Sequence, residues 1–263
     1  MSSKHQYEEN GFVVLKSFFS EDEIGEYSCV INKVFQQWMS IHEKSYIEND
    51  LINMSCLTDP LYFKTSTNDR LKFFELIAHK KLVSTVNSIL GKGVYFHDTQ
   101  LFFNPYNKHK SPYWHRDFQY SGIEEEVLIQ ELGKLKCLHL RIPLVSEKGV
   151  ELIPKTHLRW DTSLERNVRL ELEGHKNSEN LPGSELISLD RGDLLIFDAE
   201  MLHKGNYSLN KTRMAFDICV GLHHSILEPG LNYLAQPSLE EIEKIPIKEW
   251  YANTKQLFPD KKV

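Results

Sequence analysis

Two side chains that commonly bind metals, His115 and Asp117, are separated by a single residue in segment 111–120. The aromatic residues around them favour a β-strand, in which residues i and i+2 point to the same face. An imidazole and a carboxylate placed in this way can approach the same ion. Because two protein ligands hold a divalent metal only weakly, we expect a third from another part of the chain.

The best candidate for the third ligand is His203, which lies between the apolar segments 194–197 and 214–222. Two histidines and one carboxylate form the facial triad that suits non-haem Fe(II) and leaves positions open for other ligands. Zinc could use the same three residues in a hydrolytic site. Arg213, ten residues beyond His203, favours iron, because an arginine there could hold the distal carboxylate of a 2-oxo diacid.

These residues are part of a longer ordered pattern. His-x-Asp, a distant His and an Arg ten residues further on are accompanied by four other segments, which are residues 7–15, 18–23, 149–157 and 191–197. Together they resemble the phytanoyl-CoA dioxygenase family of Fe(II)/2-oxoglutarate oxygenases over most of residues 5–225. One departure lies in segment 149–157, where Lys155 and Thr156 replace the family's Gly and Ser.

The resemblance implies a reaction and a set of roles. His115, Asp117 and His203 would hold Fe(II), and Arg213 would bind 2-oxoglutarate. O2 would be the second cosubstrate, and a C–H bond would be hydroxylated with release of succinate and CO2. Related halogenases have a small residue in place of the carboxylate, so Asp117 favours hydroxylation. Family members often hold 2-oxoglutarate with a small hydroxyl residue two positions after the distal His, where this chain has Gly205.

Further contacts to the cosubstrate are expected from the strand before the metal segment. Residues 95–104 alternate, with Gln100 and Asn104 on one face and His97 on the other. Gln100 and Asn104 are candidate hydrogen-bond donors to 2-oxoglutarate. The alternative is that both are structural amides.

Substrate contacts are expected from Tyr113, on the ligand face of its segment, and from a later predicted strand, 137–145. His139 and Arg141 share one face of that strand. If the face looks into the barrel, Arg141 would bind an anionic group, which indicates a small anionic metabolite as substrate. The alternative is that Arg141 makes a salt bridge on the outside of the barrel.

The elements that must position these residues form an α+β pattern. Capping boxes and apolar spacing predict helices at 20–43 and 70–90, and period-two segments follow from residue 94. A polar hairpin is expected at 121–136. Read with the family, the strands form a double-stranded β-helix, a cupin-like jelly-roll barrel, buttressed by the N-terminal helices. We expect one domain, residues 1–263, comprising a helical part (about 20–91), a core (about 94–223) and a C-terminal tail (about 224–263).

Composition limits the possible partners. The chain has 263 residues, 41% hydrophobic and 26% charged, with a net charge of −6. This balance argues against nucleic-acid binding, and no apolar window reaches the ~20 residues of a membrane span. Four scattered cysteines and no apolar N-terminal signal region predict a cytoplasmic monomer or homodimer that acts on a small molecule. A non-catalytic metal-binding jelly roll, acting as a sensor or scaffold, is the alternative from another functional class.

Overall fold

The structure, a computed structural model, describes residues 2–227 and 231–259. Its helices are α1 (Ser3–Asn10), α2 (Glu21–Glu48), α3 (Thr67–Ile77), α4 (Lys80–Leu90), α5 (Glu125–Glu131), α6 (Ser163–Arg169), α7 (Leu239–Lys244) and α8 (Glu249–Leu257). Its strands are β1 (Phe12–Leu15), β2 (Asn53–Ser55), β3 (Tyr95–Phe103), β4 (Cys137–Pro143), β5 (Glu147–Leu152), β6 (Glu185–Leu189), β7 (Leu194–Asp198), β8 (His203–Lys204) and β9 (Met214–Gly221).

The strands form two antiparallel sheets. The larger has the order β1-β7-β4-β9-β3-β2, and the smaller has the order β6-β5-β8. An apolar cluster joins them, in which Val150, Leu152 and Leu189 of the small sheet contact Leu195 and Phe197 of the large one. Non-consecutive strands are neighbours throughout the large sheet. This is the connectivity expected for a jelly roll.

Helix α2 covers the outer face of the large sheet. A capping box between Ser20 and Glu23 begins it, because the side chains satisfy backbone N–H groups that lack partners inside the helix. Ile24, Ile31 and Val34 recur at helical spacing and are buried in the core shared with α3, α4 and the large sheet. Burial of that stripe gives the helix most of its stability.

Four local predictions were wrong. Residues 7–10 complete α1 and do not begin the first strand, and segment 70–90 is divided between α3 and α4. At the division the side chain of His79 accepts from the Lys81 N–H and caps α4. The predicted hairpin at 121–136 contains α5, and segment 111–120 forms an isolated bridge at His115 and a 3₁₀ turn in place of a strand. Parts of the predicted C-terminal tail, residues 228–230 and 260–263, lie outside the described residues.

Within the described parts of the chain, no helix combines the length and the apolar character that crossing a membrane requires.

Gly11 allows β1 to begin directly against the turn that precedes His203. It has φ +85°, and a Cβ there would lie 2.5 Å from His157 Nδ1 and 2.7 Å from Met201 Sδ. Gly174 has the same φ, +85°, and a Cβ there would meet nothing within 4 Å. The two positions therefore separate backbone strain from steric overlap.

We expect Gly11→Ala to lower the free energy of unfolding by about 1–3 kcal/mol more than Gly174→Ala, because only the first substitution overpacks its surroundings. Both substitutions place an alanine at the same positive φ, which L-residues rarely adopt. Urea titration followed by circular dichroism measures the difference. Equal losses of unfolding free energy in the two variants would show that steric overlap at Gly11 does not contribute.

Candidate metal centre and cosubstrate pocket

The main chain holds His115 and His203 side by side. The His115 N–H donates to the His203 carbonyl at 2.9 Å, and the His203 N–H donates to the His115 carbonyl at 3.0 Å. After this isolated bridge, Asp117 begins a 3₁₀ turn that runs to Tyr120. The predicted strand alternation is therefore wrong for this segment, since a turn, and not a pleat, brings Asp117 to the histidines.

The three side chains converge as a metal site requires. The Nε2 atoms of His115 and His203 each lie 3.5 Å from Asp117 Oδ1, and the candidate ligand atoms all lie within 4.8 Å of one another. Main-chain carbonyls, of Tyr113 at 3.2 Å and of Met201 at 2.9 Å, face the two Nδ1 atoms. A carbonyl that accepts from Nδ1–H leaves the Nε2 lone pair free for a metal.

The charge states suit metal binding. Burial lowers the pKa of His203 to about 3 and also lowers that of His115. Burial opposes ionisation of Asp117, but the neighbouring His139, His203 and His115 rings lower its pKa further than burial raises it. Two neutral imidazoles and a carboxylate are the ligand forms that a divalent cation needs.

The turn between β7 and β8 supports both halves of the site. Asp198 accepts from the Tyr7 hydroxyl at 2.6 Å and from the Glu200 N–H at 2.9 Å. Glu200 Oε1 accepts from the Phe118 N–H at 3.0 Å. The turn that leads to His203 is thereby bonded to the turn that contains Asp117.

A cavity of about 380 Å³ opens over these ligands, within the range of small-molecule sites. Arg213 lines it and is 2% exposed. Its Nε donates to Glu147 Oε2 at 3.2 Å, whereas its Nη1 is buried with no hydrogen-bond partner in the described chain. Because an unpaired buried donor is costly, this atom indicates a place for a bound carboxylate. The residues present therefore fit an iron ion and a 2-oxo diacid.

Two aromatic rings surround the guanidinium and explain a departure from the family pattern. The rings of Phe102 and Tyr207 each lie 5.5 Å from the Arg213 guanidinium carbon. A Cβ at Gly205 would lie 2.9 Å from the Tyr207 ring. Glycine therefore stands where the resemblance places a hydroxyl residue because the Tyr207 ring fills that space.

The other predicted contacts are divided between the cavity and its surroundings. Gln100 and Tyr113 line the cavity. Asn104 does not, and its amide instead donates to the Asn210 carbonyl at 3.0 Å and the Tyr207 carbonyl at 3.4 Å. The prediction that Asn104 binds the cosubstrate is therefore replaced by a structural role, because its amide holds the loop that carries Tyr207.

Arg141 and His139 face the cavity as expected, but other side chains occupy them. Arg141 donates to Glu147 at 2.7 and 3.2 Å and to Asp217 at 3.0 Å. His139 lies 2.7 Å from Asp117 Oδ2 and 3.1 Å from Asp217 Oδ2. The idea that Arg141 offers a free charge to an anionic substrate is corrected, because two carboxylates already neutralise its guanidinium.

The sequence reasoning missed His97, Glu147 and Asp217. A register shift between Phe96 and Asp98 turns the His97 side chain into the cavity, and such bulges often redirect side chains next to active sites. Simple alternation placed it on the opposite face. Asp217 left one signal in the sequence, because alternation places it on the same strand face as Arg213.

Glu200 gives the structure a pH dependence. Burial raises its pKa to about 8, above the ordinary value of 4.5. The native state keeps this proton longer than the unfolded state, so stability is lost as pH rises from about 4.5 to 8, by at most about 1.4 kcal/mol per pH unit. We expect Glu200→Gln to flatten the loss of unfolding free energy between pH 5.5 and 7.5, measured by urea titration.

The matched control is Glu48→Gln, in an exposed pair with Lys44 at the end of α2. We expect its pH profile to follow the wild type. An unchanged slope in Glu200→Gln would contradict the assignment of the retained proton to Glu200.

Comparison with known proteins places this chain in a family. The family model for phytanoyl-CoA dioxygenase (PhyH) matches residues 7–215. Ectoine dioxygenase of Stutzerimonas stutzeri (strain A1501) is 21% identical over 220 residues, with 76% of this chain and 69% of that protein covered. Ectoine dioxygenase of Streptomyces anulatus is 25% identical over 156 residues, with 57% and 49% covered.

Solved structures are similar in fold. EctD from S. alaskensis, crystallised with 2-oxoglutarate and 5-hydroxyectoine, has a TM-score of 0.57 at 17% identity, covering 83% of this chain and 74% of that one. HygX from Streptomyces hygroscopicus, with nickel and 2-oxoglutarate bound, has a TM-score of 0.59 at 11% identity, covering 84% and 86%. These similarities confirm the predicted α+β double-stranded β-helix. Because the family model matches most of the chain, the chain belongs to the phytanoyl-CoA dioxygenase family, which confirms the predicted class of Fe(II)- and 2-oxoglutarate-dependent oxygenases that use O2.

Proposed function

We propose that this chain hydroxylates a C–H bond of a small, polar molecule that carries no net charge. The observation that supports the proposal most directly is the convergence of His115, Asp117 and His203 in one cavity with the unpaired Nη1 of Arg213. Iron bound with 2-oxoglutarate and O2 supplies the oxidising chemistry, with succinate and CO2 as the other products.

The protein's own residues bind, orient and exclude water. His115, Asp117 and His203 would hold the ion, since their candidate ligand atoms converge beside the cavity. Arg213 provides a donor, fixed by Glu147, for the distal carboxylate of 2-oxoglutarate. Phe102 lies under the guanidinium and keeps water from it, which strengthens the ionic contact by lowering the local dielectric constant.

The electrostatics of the cavity favour a neutral or zwitterionic substrate over the anionic metabolite predicted from the sequence. Arg141 is paired with Glu147 and Asp217, and His139 lies between Asp117 and Asp217. These cations are matched by carboxylates before any ligand binds. A substrate anion would therefore have to displace an internal partner.

The part of the cavity beyond these pairs offers uncharged polar groups. Asn53, His97 and Gln100 line it together with the apolar Ile52 and Phe118. Burial lowers the pKa of His97 to about 4, so its neutral ring can donate and accept. We infer that Asn53 and His97 recognise hydroxyl, amide or similar functions on the substrate, while Gln100 stays a candidate donor to 2-oxoglutarate.

Ectoine is the first compound to test, because the curated relatives named above are ectoine dioxygenases and ectoine is a zwitterion. Substrate-dependent formation of succinate is the measurement. A cytoplasmic location and a monomeric or homodimeric state stay predictions from the sequence.

The iron and 2-oxoglutarate assignments are tested by anaerobic titration of the apoprotein. We expect a visible metal-to-ligand charge-transfer band in the wild type and none in Asp117→Ala. Arg213→Ala should weaken the binding of 2-oxoglutarate by about 30-fold or more, because it removes one partner of a buried charge pair. Arg166→Met removes an exposed arginine that pairs with Glu125 and should leave the band unchanged. A wild-type protein that shows no band and retains zinc tightly would overturn the assignment as an oxygenase.

The corrected role of Arg141 leads to a separate expectation. Arg141→Met leaves Glu147 with only Arg213 and Asp217 with only His139 as cationic partners. One buried negative charge then lacks its match, so we expect the unfolding free energy to fall by about 3–5 kcal/mol. Arg166→Met, which breaks a surface pair, should cost at most about 1 kcal/mol. Urea titration measures both variants. If Arg141→Met is as stable as the wild type and binds an acidic substrate more weakly, the corrected role is wrong and Arg141 recognises the substrate.

A further inference from the structure

A continuous series of buried hydrogen bonds leads away from the metal ligand Asp117. His139 Nε2 lies 2.7 Å from Asp117 Oδ2, and His139 Nδ1 lies 3.1 Å from Asp217 Oδ2. Arg141 donates to the other oxygen of Asp217 at 3.0 Å and to Glu147 at 2.7 Å. Glu147 in turn accepts from Arg213. One network therefore extends from the metal end of the cavity to its cosubstrate end.

The position of the His139 ring is determined on three sides. Carboxylate oxygens face both of its nitrogens, so each nitrogen carries a hydrogen and donates. The ring also stacks on Phe197, with centroids 4.9 Å apart and an interplanar angle of 18°. His139 is 5% exposed. Neither water nor a substrate is needed to satisfy it.

The two oxygens of the Asp117 carboxylate have different neighbours. Oδ1 lies 3.5 Å from the Nε2 atoms of both His115 and His203. Oδ2 points the other way and accepts from His139. The carboxylate can therefore give one oxygen to an ion while the other is held by the protein.

We propose that His139 is a positioning residue that presents Asp117 to iron through a single oxygen. By occupying Oδ2, it keeps the carboxylate from chelating the ion with both oxygens, so the remaining positions stay available for 2-oxoglutarate and O2. Asp217, fixed by Arg141, anchors the far side of the ring. The proposal rests on the proposed function, because it assigns a role only if Asp117 ligates iron.

A pair of amide variants separates this role from simple packing. The amide nitrogen of Gln in His139→Gln can reach the place of Nε2 and donate to Asp117. The shorter amide in His139→Asn reaches only the place of Nδ1, so it bonds to Asp217 and leaves Asp117 Oδ2 without its donor. Both variants keep a polar group in the buried site. His157→Leu is a matched control, because His157 is buried and its ring nitrogens have no partner among the described residues.

The measurement is anaerobic titration with Fe(II) and 2-oxoglutarate, together with the energy of the charge-transfer band and the melting temperature of each apoprotein. We expect His139→Asn to bind Fe(II) about 10–100-fold more weakly, the usual effect of removing a partner of a metal ligand, and to shift the band. His139→Gln should keep wild-type affinity to within about 3-fold and keep the band. His157→Leu should match the wild type in both.

The outcomes separate this inference from the function on which it rests. A wild type without the charge-transfer band overturns the proposed function and the inference together. A wild-type band with equal affinities in His139→Asn and His139→Gln overturns the inference alone. A lower melting temperature in both variants, with unchanged Fe(II) binding and an unchanged band, shows that His139 serves only to pack the barrel.

Discussion

Charges that are withdrawn from water must meet opposite charges, and this constraint organises the interior of the barrel. A buried ion is costly unless it is paired and hydrogen-bonded. Arg141 on β4 lies directly opposite Asp217 on β9 in the sheet register. Glu147, the first residue of the small sheet, contacts the same guanidinium. The ion pairs therefore fix the register of the large sheet and join the two sheets beside the cavity.

The same constraint leaves specific atoms available for ligands. In the described part of the cavity wall, the network satisfies Arg141 and both nitrogens of His139, while Nη1 of Arg213 has no partner. A pocket whose internal charges balance does not bind every anion that enters it. The proposed cosubstrate fits because its distal carboxylate would reach that atom while its other end reaches the metal site.

Much of the site could be predicted from the sequence, and the reasons differ from residue to residue. The structure brings four predicted residues to one cavity, namely His115, Asp117, His203 and Arg213. They could be named in advance because ligand chemistry limits which side chains can serve. The strand geometry predicted for His115 and Asp117 was wrong, since Asp117 lies in a 3₁₀ turn and not on a pleated strand. The pattern of ligands carries information that the local conformation does not.

The remaining site depends on contacts between distant segments. Periodicity showed that Arg141 and His139 share a face, but not that Asp217 lies opposite them, because strand order was unknown. It misplaced His97, because one extra residue in a strand reverses the alternation and leaves no mark in the sequence. Asn104 has the right chemistry on the expected strand, and only the path of the 207–210 loop decides what its amide contacts. The break between α3 and α4 contains no Gly or Pro from which it could be predicted.

The paired main-chain hydrogen bonds between His115 and His203 have a consequence for the assembly of the site and for substitutions within it. They hold the two imidazoles together through the backbone, so the ion does not have to assemble its own binding site. Because the bonds use backbone atoms, replacement of either imidazole would remove a ligand and leave the two segments joined.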